Sequence, residues 1–166
     1  MNSLPQGSGG RVLIAAAEPA RAAGLADMLS QHGGEVWRTR LATSMREFLA
    51  LAGQGGAEAA LWAGDGAAAA EVAQDLRRRA PGLPLVLVLE PWDPGNAAKA
   101  LSVGAQDCLD GQALDGPALA GALALAPARL KTLEQERRRA ERYESIVEHQ
   151  TELVCRFLPD GILTFA

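Results

Sequence analysis

Length, composition and charge restrict the classes of protein to which this chain can belong. Its 166 residues are enough for one ordinary domain with a short appendage, and its formal net charge of −4 excludes a general attraction to nucleic acid or to an anionic membrane. The longest apolar run, residues 118–126, is too short to span a membrane. Cys108 and Cys155 suggest no disulfide framework, and residues 1–10 do not resemble a signal peptide, so we expect a cytoplasmic chain.

Residues 11–126 alternate short apolar runs with helical patterns, after a flexible, glycine-rich lead-in at residues 1–10. Strands are predicted at 11–16, 35–38, 58–62, 84–89 and 106–109. Helices are predicted at 19–32, 44–52, 67–80, 95–104 and 115–126. Five successive strand–helix units predict a parallel sheet with helices on both faces. The run LPLVLVL lacks polar alternation and predicts a strand that is buried on both faces.

Several polar residues and one tryptophan have ordinary structural explanations. Ser44, with Glu47 three residues later, predicts a capping box, and Asp93 before Pro94 predicts a second helix N-cap. Residues 77–79 are three arginines in the last turn of a predicted helix, where the helix dipole favours cations, so we do not interpret them as a nucleic-acid patch. Trp62, at the end of the third predicted strand, is predicted to lie in the core or, as the alternative, near a pocket at the end of that strand; core packing is the simpler prediction.

The segment from residue 127 to residue 150 differs in character. It is highly charged and helical, and Leu133, Ala140 and Val147 recur every seven residues, which predicts a connector helix with at most a partial coiled coil. Because proline disfavours helix in the preceding residue, we predict a break at residues 126–127, with Pro127 as the first residue of a new helix.

Residues 151–166 contain two apolar runs, LVCRF and ILTF, on either side of Pro159-Asp160-Gly161. This punctuation predicts a β-hairpin. A hairpin alone is only marginally stable, so we expect this segment to open a further domain.

Three strings resemble the response-regulator receiver domain of two-component signalling: RVLIAAAEPA, RRRAPGLPLVLVL and GAQDCLDG. The resemblance covers residues 11–126 and implies an α/β, flavodoxin-like, doubly wound five-stranded parallel sheet of order 2-1-3-4-5, here with an extended C-terminal helix. The last 25 residues are similar to the entry of a PAS sensory domain; the ligand pocket of that family lies beyond this segment, so no cofactor is assigned.

The receiver family transfers a phosphoryl group to an aspartate. Two acids after strand one hold Mg²⁺, an aspartate at the end of strand three is the nucleophile, and a hydroxyl and a lysine contact the phosphoryl oxygens. In this sequence the five corresponding positions, called here the edge positions, are Ala16, Ala17, Ala63, Leu89 and Gly111. Methyl groups neither ligate a metal nor accept a phosphoryl group, so we expect no catalytic, metal or cofactor residue.

The resemblance, together with edge positions that lack metal-binding and nucleophilic side chains, predicts a non-catalytic pseudo-receiver and not an enzyme. Its expected partners are other domains of the same signalling protein, a partner signalling protein, or a second copy bound through the fourth and fifth helices or the connector. One alternative is a small-molecule sensor that uses the vacated acidic pocket. Another is a relocated phosphoacceptor, Asp65, supported by Glu18 and Asp93, although solvated loop acids and helix caps are the simpler explanation of these residues.

Overall fold

The computed structural model describes residues 10–32, 37–149, 156–157 and 163–164. Within those ranges, strands and helices alternate in the order β1 (Arg11–Ala16), α1 (Pro19–His32), β2 (Arg38–Ala42), α2 (Met45–Gln54), β3 (Ala59–Gly64), α3 (Gly66–Arg79), β4 (Leu85–Leu89), α4 (Pro94–Ser102), β5 (Asp107–Asp110) and α5 (Gly116–His149). Two short strands follow, β6 (Arg156–Phe157) and β7 (Leu163–Thr164).

The first five strands form one parallel sheet of order β2-β1-β3-β4-β5. This is the doubly wound, flavodoxin-like order that the sequence predicts, so the predicted fold class is confirmed. All five residues of β4 are buried, as the unbroken apolar run indicates for a central strand.

Successive side chains of each strand point to opposite faces, and this alternation divides the core into two layers. One layer packs α1 and α5 against the sheet and contains Ile14, Leu61 and Val88. The other packs α2, α3 and α4 against the sheet and contains Trp62 and Leu89. Trp62 is 5% exposed, which confirms its predicted place in the core.

Both predicted N-caps are present, but the predicted capping box is not closed on Ser44, because the Glu47 carboxylate bonds to Thr43 instead. The Ser44 hydroxyl oxygen accepts a hydrogen bond from the Glu47 amide at 3.2 Å, and the Asp93 carboxylate accepts one from the Asn96 amide at 2.6 Å. The Glu47 carboxylate in turn accepts bonds from both the hydroxyl and the amide of Thr43, one residue before the cap. These bonds lower the pKa of Glu47, and the charge of Arg40 lowers it further.

The prediction of the second strand at residues 35–38 is wrong, because β2 occupies Arg38–Ala42. Residues 35 and 36 lie outside the described part of the chain. The error has a physical cause: β2 is an edge strand whose first four residues are exposed, so no apolar alternation marks it. The conspicuous apolar residue Trp37 instead precedes the strand, and its ring occupies the space beside Gly10.

The predicted helix break at residues 126–127 is also wrong, because α5 contains Pro127 within a helix assigned from Gly116 to His149. Proline leaves the carbonyl of Leu123 without its usual helical donor. The buried residues Leu123, Ala126 and Leu130 continue on both sides of the proline, and this packing outweighs the local preference.

The chain divides into two compact units, Met1–Lys131 and Thr132–Ala166. In the second unit β6 and β7 pair antiparallel, with Arg156 opposite Thr164 and Phe157 opposite Leu163, as predicted for a hairpin. The turn predicted between them lies outside the described residues. Among the described helices, none is long and apolar enough to cross a membrane.

Candidate functional site

The edge positions meet at one end of the sheet, which we call the carboxyl edge. Parallel strands end at the same side, and the register aligns their last residues, with Ala16 opposite Ala63, Gly64 opposite Leu89, and Leu89 opposite Asp110. The fold therefore brings these positions together where open α/β sheets place their ligand sites.

The side chains at two edge positions belong to the hydrophobic core. Ala63 is 1% exposed and packs in the layer with α1 and α5, whereas Leu89 is fully buried in the opposite layer. Ala16 is half-buried and packs against the same layer as Ala63. Apolar packing thus continues to the end of the strands, and these positions provide neither a metal ligand nor a nucleophile.

An ion pair crosses the carboxyl edge. Arg21, in the first turns of α1, is bonded through its guanidinium to the carboxylate of Glu90, the residue that follows β4. The same nitrogen, Nη2, donates to the carbonyl oxygen of Gly111 at 3.2 Å. One cation therefore connects the first helix to the ends of β4 and β5, and the two charged side chains are only 29% and 36% exposed.

The Arg21 guanidinium is held within the protein surface and does not extend freely into water. Its Nε is buried and has no hydrogen-bond partner among the described residues. The position of the guanidinium is set by the surrounding packing together with its bonds to Glu90 and Gly111.

Glu90 occupies the space in which a side chain at Gly111 would begin. A Cβ added to Gly111 would overlap a carboxylate oxygen of Glu90. Gly111 is the position that the receiver resemblance assigns to lysine. The resemblance places a cation after the fifth strand. In this chain Arg21 of α1 supplies a cation at the carboxyl edge, and Glu90, which follows β4, supplies the paired anion.

Trp62 closes the end of β3. A Cβ added to Gly64 would lie 2.6 Å from the indole of Trp62, so the ring lies directly against the backbone at the end of the strand. Trp62, which packs in the core, thus also lies beside Gly64, the residue that follows Ala63.

Three of the acids near this edge have separate structural partners. Asp65 caps α3 by accepting from the Ala67 amide at 2.9 Å, Asp93 caps α4, and Asp110 accepts from the Gln112 amide at 2.9 Å. Glu18 is exposed and starts α1 through its backbone carbonyl. Within the described ranges, no group of three or more acids, histidines or cysteines is placed to hold a metal ion.

A cavity of about 310 Å³ lies at the other end of the sheet, among residues that begin β1 and β2. It does not include the vacated acidic pocket that the sequence suggested for a small ligand. Cys108, on β5, is half-buried; burial, and next the charge of Asp107, raise the pKa of its thiol to about 11. A thiol with so high a pKa is a poor nucleophile at neutral pH.

The ion pair between Arg21 and Glu90 was not predicted from the sequence. Glu90 is recognisable as an acid at the end of a strand, but its partner is 69 residues away in the chain. The available signal is that Arg21 is the sole lysine or arginine in residues 19–32, directly after the first strand.

Comparison with known proteins identifies the fold. No family model and no curated protein matches the chain. Among solved structures, a response regulator receiver domain protein (CheY-like) from Methanospirillum hungatei JF-1 is 19% identical, with a TM-score of 0.59 over 78% of this chain and 99% of that chain. A putative pilus assembly-related protein from Burkholderia pseudomallei K96243 is 25% identical, with a TM-score of 0.61 over 78% and 96%.

A third structure is described as an atypical orphan response regulator with a phosphorylation-independent regulatory mechanism. It is 15% identical, with a TM-score of 0.57 over 73% of this chain and 95% of that chain. The fold of this chain is therefore that of response-regulator receiver domains, as the sequence resemblance implied.

Proposed function

We propose that this chain is a receiver-fold signalling module that acts by protein–protein contact without accepting a phosphoryl group. The observation that carries the proposal is the carboxyl edge itself. Its metal and acceptor positions are methyl groups, and the arginine of α1 is already neutralised by Glu90. A phosphoryl group placed there would meet an arginine that is already paired, and the carboxylate of Glu90 would repel it.

The structural neighbours are compatible with this proposal. One of them is described as regulated independently of phosphorylation. Another is described as a putative pilus assembly-related protein, so the same fold serves more than one cellular role.

The decisive test is attempted phosphorylation. The full chain is incubated with acetyl phosphate, or with beryllofluoride, in the presence of Mg²⁺, and examined by intact-mass spectrometry and NMR. We expect no aspartyl-phosphate adduct and no Mg²⁺-dependent shifts. An adduct that disappears in the Asp65→Asn variant would instead establish the relocated phosphoacceptor, and an adduct at any residue would overturn the proposal.

The contact surface that we propose surrounds β5, the edge strand of the sheet. Its four residues are half-buried, and α4 and α5 belong to the layers on its two sides. Each helix exposes a leucine, Leu101 at 44% and Leu125 at 53%. Exposed apolar side chains on helices that cover the two faces of an edge strand are typical of an association surface.

This surface is tested by the concentration dependence of the molar mass, measured by light scattering. We expect self-association that Leu101→Glu and Leu125→Glu each weaken. Leu41→Glu is the matched control, because Leu41 is 41% exposed on β2 at the opposite side of the sheet. Equal weakening by Leu41→Glu, or a monomeric chain at all concentrations, would exclude a homodimer through this surface.

The small-molecule alternative is tested in parallel by a thermal-shift screen with metabolites. Because the carboxyl edge is occupied by Trp62, Leu89 and the Arg21–Glu90 pair, we expect no stabilisation by a ligand bound there. A ligand whose effect is lost in Trp62→Phe or Glu90→Gln would favour the sensor over the interaction module.

A further inference from the structure

The cavity at the amino-terminal end of the sheet has a chemical character of its own. Its volume is about 310 Å³, and it lies between the first residues of β1, the edge strand β2, the end of α2 and the loop that follows α2. This end of the sheet is remote from the carboxyl edge, so the cavity is independent of the proposed interaction module and of the receiver chemistry.

Three arginines line one face of the cavity. Arg11 lies directly opposite Arg38 in the register of β1 and β2, and Arg40 is two residues further along the same strand, opposite Leu13. Residues two apart on a strand share a face, so the three arginines emerge on the side of the sheet that packs against α2.

This arrangement is unfavourable for the isolated fold. Like charges directly opposite each other in a sheet destabilise it. The acids nearby neutralise the charge of the three arginines only in part. The carboxylate of Glu58 lies 3.7 Å from Nε of Arg11. The pKa of Glu47 is lowered more by its bonds to Thr43 than by the charge of Arg40. A concentrated positive site in a chain of net charge −4 is therefore a distinct electrostatic feature.

The remainder of the cavity wall is apolar or bare backbone. Leu13, Leu51 and Ala57 contribute hydrocarbon surface. Gly55 and Gly56 have φ angles of 76° and 93°, which favour glycine, and no atom lies within 4 Å of the Cβ positions they lack. The loop thus leaves space beside the arginines, and the combination of a cationic side and an apolar side matches a ligand with an anionic head and an organic body.

We infer that this cavity binds a small organic phosphate of about mononucleotide size, with Arg38 and Arg40 contacting the phosphoryl oxygens and Arg11 supporting them. Guanidinium groups are suited to this role because their planar donors match phosphate oxygens in pairs. The volume is at the lower end of the range for small-molecule sites, which favours one nucleotide unit over a larger cofactor.

The test is a titration of the full chain, followed by NMR and calorimetry, with AMP, ADP, inorganic pyrophosphate and adenosine as probes. We expect AMP and ADP to shift the resonances of residues 11–13, 38–40 and 55–57, and adenosine to shift none. The Arg38→Gln and Arg40→Gln variants should each weaken ADP binding about tenfold. Arg79→Gln, which removes an exposed arginine from α3 outside the cavity, should leave the affinity unchanged.

Three outcomes would overturn the inference. Absence of binding by AMP and ADP below about 1 mM would show that the arginines serve only to protect the exposed edge of β2. Equal loss with Arg79→Gln would show general electrostatic attraction. Pyrophosphate binding as tightly as ADP would show an inorganic anion site without recognition of the organic body. None of these results depends on whether the carboxyl edge accepts a phosphoryl group.

Discussion

Replacement of Arg21 by glutamine should remove the bonds that connect α1 to the carboxyl edge. The variant loses the ion pair with Glu90 and the hydrogen bond to the carbonyl of Gly111. A hydrogen bond to a charged group contributes about 1.5–3 kcal/mol, whereas an exposed ion pair contributes about 0.2–1 kcal/mol. Because the two side chains are 29% and 36% exposed, we place the coupling between Arg21 and Glu90 at about 1–2 kcal/mol.

A double-mutant cycle isolates this coupling. Arg21→Gln, Glu90→Gln and the double variant are compared with the unmodified chain by urea denaturation, and the bond to Gly111 cancels in the difference. Arg21→Gln alone should lower Tm by more than the roughly 3–6 °C that corresponds to this coupling, because the variant also loses the bond to Gly111. The control is the Arg78–Asp75 pair, in which Arg78 is 72% exposed and the coupling should be under about 0.5 kcal/mol. Equal couplings for both pairs would refute the idea that the edge is held by Arg21.

Three further variants or reactions probe the core, a cap and the thiol. Ala63→Asp should lower the free energy of unfolding by about 3 kcal/mol at neutral pH, because the carboxylate is buried without a cation, and should not restore phosphorylation. Burial raises the pKa of such a carboxyl in the folded state, so the loss should shrink as the pH falls through that raised value. Ser44→Ala should cost about 1 kcal/mol through the lost cap of α2, measured by urea denaturation. Cys108, whose pKa is raised to about 11, should react with iodoacetamide at pH 8 roughly a hundredfold more slowly than an exposed cysteine, as followed by mass spectrometry.

Two of these predictions, for Ala63→Asp and for Ser44→Ala, have a matched control variant. Ala124→Asp places the same charge at an exposed position of α5 and should change stability by less than about 0.5 kcal/mol. Ser30→Ala removes a hydroxyl that bonds to the carbonyl of Asp27 near the end of α1, and should have a smaller effect than Ser44→Ala. Equal effects at the buried and exposed alanines, or at the two serines, would contradict the packing and capping arguments.

The features of the fold that could be predicted from sequence are those with a local or periodic signal. The LPLVLVL run identifies β4 as a central strand because burial on both faces requires apolar residues throughout. Ser44 and Asp93 identify helix starts because a cap is a short-range hydrogen bond. In contrast, β2 lacks an apolar face, and the helix through Pro127 is stabilised by packing against the sheet, so neither has a local signal.

The candidate site likewise contains some features that have a local sequence signal and others that depend on contacts between distant residues. The edge positions could be read from the sequence because the register of parallel strands aligns residues such as Ala16 and Ala63. The resemblance predicted edge positions without catalytic or metal-binding side chains, but it did not predict that Glu90 lies against Gly111 or that Trp62 lies against Gly64. Which side chains lie against Gly64 and Gly111 depends on contacts between distant parts of the chain. No pattern in a single segment encodes those contacts.

The Arg21–Glu90 pair bears on how such a module could carry a signal. In the proposed function the charge balance at the carboxyl edge is permanent, because both ions belong to the chain and neither is added or removed by a reaction. A permanent interaction cannot by itself shift a conformational equilibrium, which requires a ligand with different affinities for two states. The changing input must therefore bind elsewhere: at the surface around β5, or in the arginine-lined cavity at the amino-terminal end of β1 and β2. The mutations at these two sites distinguish them, since Leu125→Glu should affect association and Arg38→Gln should affect phosphate binding.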